Sequence, residues 1–132
     1  MRDKKTNLKL VLDHVETIAI VGASDKSDRD SYKVMKFLKD FGYRIFPVNP
    51  NILDARILGH ECYPDLSAIE ERIDMVDVFR AKEHILSILN DAIKIKAKVF
   101  WMQEGLYCEE AEKIGNNTVS YTHLRAHETI QH

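Results

Sequence analysis

Four short apolar runs of strand length recur along the chain, and they constrain its fold more than any other feature. They occupy residues 17–22, 43–48, 75–79 and 98–102. The first run, TIAIVG, is apolar without a break, which is typical of strands buried on both faces of a parallel sheet. Strands that alternate with helical segments predict a mostly parallel sheet, with helices on both faces and right-handed crossovers.

The segments between these runs have the spacing of amphipathic helices. The clearest pattern is formed by five apolar residues, Ile85, Ile88, Leu89, Ala92 and Ile93. Another helix is predicted to end at Gly42, since glycine favours the left-handed conformation that follows a helix. Weaker helical patterns occupy residues 8–15, 67–72 and 109–114.

We therefore predict an α/β, Rossmann-like three-layer fold with the strand order 2-1-3-4. Pro47 cannot donate to a strand ladder, so the second strand should end there or lie at an edge. The first strand is central, which places a topological switch point at its carboxyl end. Ligands of open α/β sheets bind at such a point.

Length, charge and cysteine content narrow the class of protein. At 132 residues, with a net charge of −2 and a pI near 6.3, the chain fits one domain that binds neither nucleic acid nor a membrane surface. No apolar run approaches the roughly 20 residues of a transmembrane helix, and no secretory signal pattern follows Met1, so we expect a cytoplasmic protein. Cys62 and Cys108 are expected to be ordinary reduced thiols.

The loop after the first strand has the composition of an anion site. It leads into a helix whose first amides have no internal partner, and five of its residues suit a phosphate: Gly22, Ser24, Lys26, Arg29 and Ser31. The alternative is a plain strand-to-helix turn, with Asp30 or Ser31 capping the helix. The loop has neither the GxGxxG of dinucleotide sites nor the GxxxxGK[ST] of a P-loop.

The loops after the other strands narrow the choice of ligand. Asn49 and Pro50 follow the second strand, where NAD sites carry a carboxylate for the ribose, so NAD is disfavoured. Arg80 follows the third strand and suits either a phosphate or a surface ion pair. Trp101 is expected in the core, while Gln103 points toward the loop edge. We find no catalytic constellation and no metal-ligand spacing, and we read His14, His60 and His84 as scattered surface or structural histidines.

Four strings, in this order and spacing, resemble the CoA-binding protein family. They are TIAIVGASDKSDRDSYKVMKFLKDFGYRIFPVNPN, ILGHECYPDL, DMVDVFR and KVFWMQEG, and the resemblance runs from about residue 8 to about residue 115. Members of this family are small single-domain bacterial proteins, similar to the CoA-binding domain of the succinyl-CoA synthetase alpha subunit.

The resemblance implies that coenzyme A, or an acyl-CoA, lies across the carboxyl ends of the strands. It assigns the contacts to Gly22, Ala23, Ser24, Arg29, Ser31, Val48, Asn49, Pro50, Phe79, Arg80, Met102 and Gln103. The synthetase carries its phosphorylated histidine in a second region that has no counterpart here, so we expect binding without catalysis. The alternatives are a domain for another nucleotide, such as NAD or an adenylate, and a partner-dependent acyl-CoA ligase or transferase subunit.

The sequence departs from the family pattern after Gly115. Residues 119–129, VSYTHLRAHET, resemble the translation of a transposase adapter used in DNA sequencing libraries. We therefore divide the chain into a CoA-binding domain at 1–117 and a non-native tail at 118–132. The sheet is then expected to lack its final strand, which would leave residues 98–102 without an outer neighbour.

Overall fold

A computed structural model describes residues 12–52 and 55–102, together with the backbone of one further strand at 122–125. The strands are β1 (Thr17–Val21), β2 (Arg44–Val48), β3 (Arg56–Ile57), β4 (His60–Glu61), β5 (Met75–Val78), β6 (Val99–Met102) and β7 (Thr122–Arg125). The helices are α1 (Asp30–Asp40) and α2 (Ile85–Lys94). Two 3₁₀ turns, Leu66–Ala68 and Lys82–His84, complete the described elements.

The main sheet has the order β2-β1-β5-β6-β7, with every neighbouring pair parallel. The four strands predicted from the sequence are β1, β2, β5 and β6, and their predicted order 2-1-3-4 is confirmed. β2 lies at an edge of the sheet, as expected for a strand that contains Pro47. Val21 pairs with Val48 on one side and with Val78 on the other, and Val78 pairs with Met102. The carboxyl ends of four strands are therefore level.

The structure places one more strand, β7, beside β6, where the sequence predicts that the sheet ends at residues 98–102. β7 pairs in parallel with β6, from Val99 opposite Thr122 to Met102 opposite Arg125. An edge strand needs hydrogen bonds from one neighbour only, and backbone groups supply them whatever the side chains are. The side chains of β7 lie outside the described residues. The non-native origin of residues 118–132 therefore stays a prediction.

Each face of the sheet buries its own core. On one face Ala19, Val76 and Phe100 pack in a cluster with Ile85 and Leu89 of α2. On the other face, the cluster consists of Ile18, Ile20, Met75 and Trp101, with Met35 and Leu38 of α1. All five residues of β1 are buried, which explains why its sequence is apolar without alternation.

The helical expectations have mixed outcomes. Gly42 follows α1 with φ of +96°, as predicted. The turns expected at 67–72 are a single 3₁₀ turn, Leu66–Ala68, whose N-terminus is capped by the carboxylate of Asp65. Half of the opening helix, residues 8–11, and all of the segment 109–114 lie outside the described residues.

Asp74 ties the amino ends of three strands together. Its Oδ2 accepts from the amide of Glu16 at 2.9 Å, and its own amide donates to Thr17 Oγ1 at 2.9 Å. Its carbonyl accepts from the amide of Lys98 at 2.8 Å. Burial raises the pKa of this carboxyl, but the amide of Glu16, the charge of Lys98 and the charge of Arg72 outweigh burial and lower it below the usual value.

Replacement of Asp74 by Asn should destabilise the fold by about 1 kcal/mol, because Asn keeps an acceptor but loses the charge that strengthens these bonds. Because the folded state lowers the pKa of the Asp74 carboxyl, the carboxylate stabilises the fold fully at pH values above its pKa in the unfolded chain, which is about 4. This stabilisation is lost as the pH falls below that value. Urea unfolding of the unmodified protein and of Asp74→Asn, at pH 7 and at pH 3.5, measures the difference in unfolding free energy at each pH. A difference between the two proteins that is equal at both pH values would contradict the assignment.

Candidate functional site

The loops after β1, β2 and β5 are joined to one another by backbone hydrogen bonds. The amides of Gly22 and Ala23 both donate to the carbonyl of Val48, at 2.9 and 3.2 Å. The amide of Phe79 donates to the carbonyl of Val21 at 2.7 Å. A cavity of about 650 Å³, here named the α1 cavity, lies beside this junction. It is lined by the loop 22–31, by Asn49, Asn51 and Ile52 after β2, and by Phe79.

The N-terminus of α1 opens into the α1 cavity without a side-chain cap. Arg29 is the N-cap residue and makes no capping hydrogen bond. Asp30 and Ser31 lie within the first turn, so the capping alternative does not hold. The first amides of the helix are left for a ligand, since a helix has no internal partners for them.

Ser31 supplies the strongest sign that a ligand belongs in the α1 cavity. Its side chain lines the cavity, yet the residue is only 4% exposed. Within residues 12–52 and 55–102, its hydroxyl has no hydrogen-bond partner. An unsatisfied buried hydroxyl is costly, and such groups in native proteins mark sites that an ion, a water molecule or a ligand completes.

The α1 cavity does not attract anions by net charge. Lys26 and Arg29 line it and form no ion pair within the described part of the chain. Asp25, Asp28 and Asp30 line it as well, so three carboxylates oppose two cations. The groups available to an anion here are the helix amides, the Ser31 hydroxyl and the two side-chain cations, which offer directed bonds rather than a positive surface.

Two of the expected contact residues use their side chains to build the loops. Ser24 Oγ accepts from the amide of Lys26 at 3.0 Å. Asn49 Nδ2 donates to the carbonyl of Ala23 at 2.8 Å, while its Oδ1 accepts from the amide of Asn51 at 2.8 Å. Asn49 therefore fastens the first loop to the second and fixes the shape of the α1 cavity.

Gly22 lies where the first loop passes closest to the end of β5. Its φ is +90°, and a Cβ at this position would lie 2.7 Å from the carbonyl oxygen of Phe79. It would also lie 3.1 Å from Cδ of Arg80. Only a residue without a side chain fits between these two loops.

Other expected contacts lie on the opposite face of the sheet. Val48, Pro50 and Arg80 line a second cavity of about 160 Å³, which borders α2 and is here named the α2 cavity. Met102 is fully buried in the core and lines neither cavity. Gln103 lies outside the described residues.

The structure adds one residue that the sequence reading missed. His84 lines the α2 cavity, and its Nε2 lies 3.1 Å from Nη2 of Arg80. The one signal in the sequence is that Arg80 and His84 are four residues apart. This spacing predicts contact between side chains only within a helix, and both residues precede α2.

Cys62 lies beneath Asn49 as a free, buried thiol, 3.8 Å from the Asn49 carbonyl oxygen. Burial raises its pKa, and the hydrogen bond to Asn49 lowers it only in part, so the group stays protonated near neutral pH. Cys108 lies outside the described residues. Within the described ranges, no three His, Cys, Asp or Glu side chains are grouped to hold a metal ion, and no helix has the length and apolarity to cross a bilayer.

Residues 16–125 match the family model of the CoA-binding domain. This chain belongs to the CoA-binding domain family. Among its relatives is the uncharacterised protein YneT of Bacillus subtilis, which is 42% identical over 107 residues. That alignment covers 81% of this chain and 78% of YneT.

Part of this chain is also similar to a short segment of a much larger protein. The ADP-forming acetate–CoA ligase of Methanocaldococcus jannaschii is 36% identical over 64 residues, which is 48% of this chain but only 9% of the ligase. Two solved structures share the fold over most of their length. A hypothetical protein from Pyrococcus horikoshii has a TM-score of 0.83 and 33% identity, with 94% of this chain and 84% of that one covered. A protein from Thermus thermophilus has a TM-score of 0.85 and 28% identity, with 96% and 92% covered.

Replacement of Gly22 by Ala should be far more disruptive than the same change at Gly42. Both glycines have positive φ, which alone costs an alanine roughly 1–2 kcal/mol. A Cβ at Gly42 meets nothing within 4 Å, whereas a Cβ at Gly22 meets the Phe79 carbonyl. Thermal unfolding of both variants tests this difference. Equal losses of stability would show that the two loops are not closely packed at Gly22.

Proposed function

We propose that this protein binds coenzyme A or an acyl-CoA at the carboxyl ends of its strands, and that it catalyses no reaction by itself. The twelve residues assigned to the ligand by family resemblance remain part of this proposal. The α1 cavity takes the diphosphate and the level strand ends support the rest of the ligand.

The observation that carries the proposal is the buried hydroxyl of Ser31, which has no partner among the described residues, at the uncapped N-terminus of α1. A diphosphate supplies the acceptor that this hydroxyl and the first helix amides lack. Arg29 and Lys26, which have no carboxylate partner in the described part of the chain, lie in the same cavity. Membership of the CoA-binding domain family supports coenzyme A as the source of that diphosphate.

The end of β2 favours coenzyme A over NAD. NAD sites place a carboxylate there to bind the ribose hydroxyls, whereas Val48 is followed here by Asn49. Both the oxygen and the nitrogen of the Asn49 side chain already bond to the protein, so this residue does not replace the carboxylate.

A second candidate function is that of a CoA-binding subunit for a partner ligase. The similarity to a short segment of an ADP-forming acetate–CoA ligase favours it, because the rest of that ligase has no counterpart in the alignment. In this reading, binding belongs to this chain and the chemistry to its partner. Turnover that appears only on mixing the two chains would distinguish this candidate from a binding protein that acts alone.

Calorimetric titration with coenzyme A, and with NAD for comparison, tests the first proposal. Coenzyme A at about 100 times its dissociation constant should stabilise the fold by about 2.7 kcal/mol. Ser31→Ala should weaken binding roughly fivefold, or about 1 kcal/mol, without lowering the stability of the free protein, because it removes a hydroxyl that has no partner.

The matched control is Lys36→Ala on the same helix. Lys36 is exposed, pairs with Asp40 at 2.9 Å and lies outside the α1 cavity, so its loss should leave the affinity unchanged. The proposal fails if millimolar coenzyme A produces neither heat nor a change in melting temperature while NAD raises it.

A further inference from the structure

Arg80 is a half-buried cation that pairs with no carboxylate in the described part of the chain. It follows β5 and lines the α2 cavity, on the opposite face of the sheet from α1. Across the described ranges, Arg80 forms no ion pair with an acidic side chain. The surface ion pair that the sequence left open is therefore not formed there, and the charge is available to a ligand.

His84 orients this charge without cancelling it. A guanidinium can only donate, so in the 3.1 Å contact the imidazole Nε2 of His84 is the acceptor. His84 ends the 3₁₀ turn that leads directly into α2, which fixes its backbone. One edge of the guanidinium is thereby held in place, while its remaining N–H groups stay free to bind a planar or tetrahedral anion.

The carboxylates of the α2 cavity do not compete for Arg80. Asp65 accepts from the amide of Ala68 at 3.0 Å and from the hydroxyl of Ser67 at 2.6 Å. Asp91 also lines the cavity, but it makes no ion pair with Arg80. Apolar side chains, among them Val21, Val48 and Ile88, form much of the remaining wall.

The α2 cavity is separate from the α1 cavity, although both open at the same strand ends. From the last residue of β2 onward, successive residues alternate between the two cavities. Val48 and Pro50 line the α2 cavity, while Asn49 and Asn51 line the α1 cavity. The two cavities share no lining residue, so a group bound against the first turn of α1 lies in a different cavity from Arg80.

We infer that Arg80, oriented by His84, forms a second anion subsite that takes a group of the ligand other than its diphosphate. The inference rests on the proposed binding of coenzyme A. That ligand offers two such groups, which share the chemistry of a compact anion. One is the 3′-phosphate of the ribose, and the other is the carboxylate of an acidic acyl chain.

Titrations of the unmodified protein and of Arg80→Ala with four ligands test the subsite and identify its anion. The ligands are coenzyme A, dephospho-CoA, acetyl-CoA and succinyl-CoA. Loss of one charged hydrogen-bonding partner should weaken binding of the matching ligand about ten- to a hundredfold. If the 3′-phosphate is bound, Arg80→Ala affects the three ligands that carry it and spares dephospho-CoA. If the acyl carboxylate is bound, it affects succinyl-CoA alone.

An equal loss for all four ligands, or no loss for any, would overturn the subsite while leaving coenzyme A binding intact. Absence of binding to the unmodified protein would instead overturn the proposed function, and this inference with it. Arg80→Gln is the second variant, because it keeps a donor toward His84 and much of the side-chain length if alanine impairs folding. The melting temperature of each variant reports whether the fold is retained.

Substitutions at His84 test its positioning role. His84→Leu removes the acceptor and should weaken the ligand that Arg80 selects about three- to tenfold, with little effect on the ligand that lacks the second anion. His84→Gln retains an acceptor oxygen and should restore most of the selectivity. His84→Glu should pair with Arg80 and abolish it. A purely structural histidine would change the affinity for both ligands alike, and that result would exclude the positioning role.

Discussion

The parallel pairing of β1 with β2 on one side and β5 on the other is the constraint on which the rest of the structure depends. Because these pairs are in register to their last residues, Val21, Val48 and Val78 end at one level. Both faces of β1 are buried, so no function can lie along the strand itself. Ligand contacts are therefore expected from the loops at the strand ends. In the first of these loops, the close approach of the Phe79 carbonyl leaves room only for glycine at position 22.

Much of this architecture is readable from the sequence because its causes are local or general. The unbroken apolar run of β1 reports burial on both faces, Gly42 reports the end of α1, and right-handed crossovers leave few possible strand orders. The family resemblance adds coenzyme A as the expected ligand, and membership of the family is confirmed. The sequence does not reveal which polar side chains form hydrogen bonds with distant parts of the chain and which are left without a protein partner.

Asn49 and Ser31 illustrate that limit from opposite directions. The residue type and position of Asn49 suggest a ligand contact, yet its side chain forms hydrogen bonds with Ala23 and Asn51. Ser31 has the position of a helix cap, yet its hydroxyl has no partner among the described residues. The contact between Arg80 and His84 was missed for a related reason, since it depends on the path of the chain between β5 and α2. β7 was missed because edge pairing relies on backbone groups, which every sequence has.

The position of Asp74 has a consequence for how this fold can change. Its hydrogen bonds join β1 to β5 and β5 to β6 at the amino edge, whereas the described residues assigned to a ligand lie at or near the carboxyl edge. Distant sites of this kind contribute to stability nearly additively. Positions in the loops of the carboxyl edge, other than Gly22 and Asn49 that fix how these loops pack, are therefore open to replacement in directed evolution, with new ligand preferences selected on a scaffold whose strand alignment is secured elsewhere.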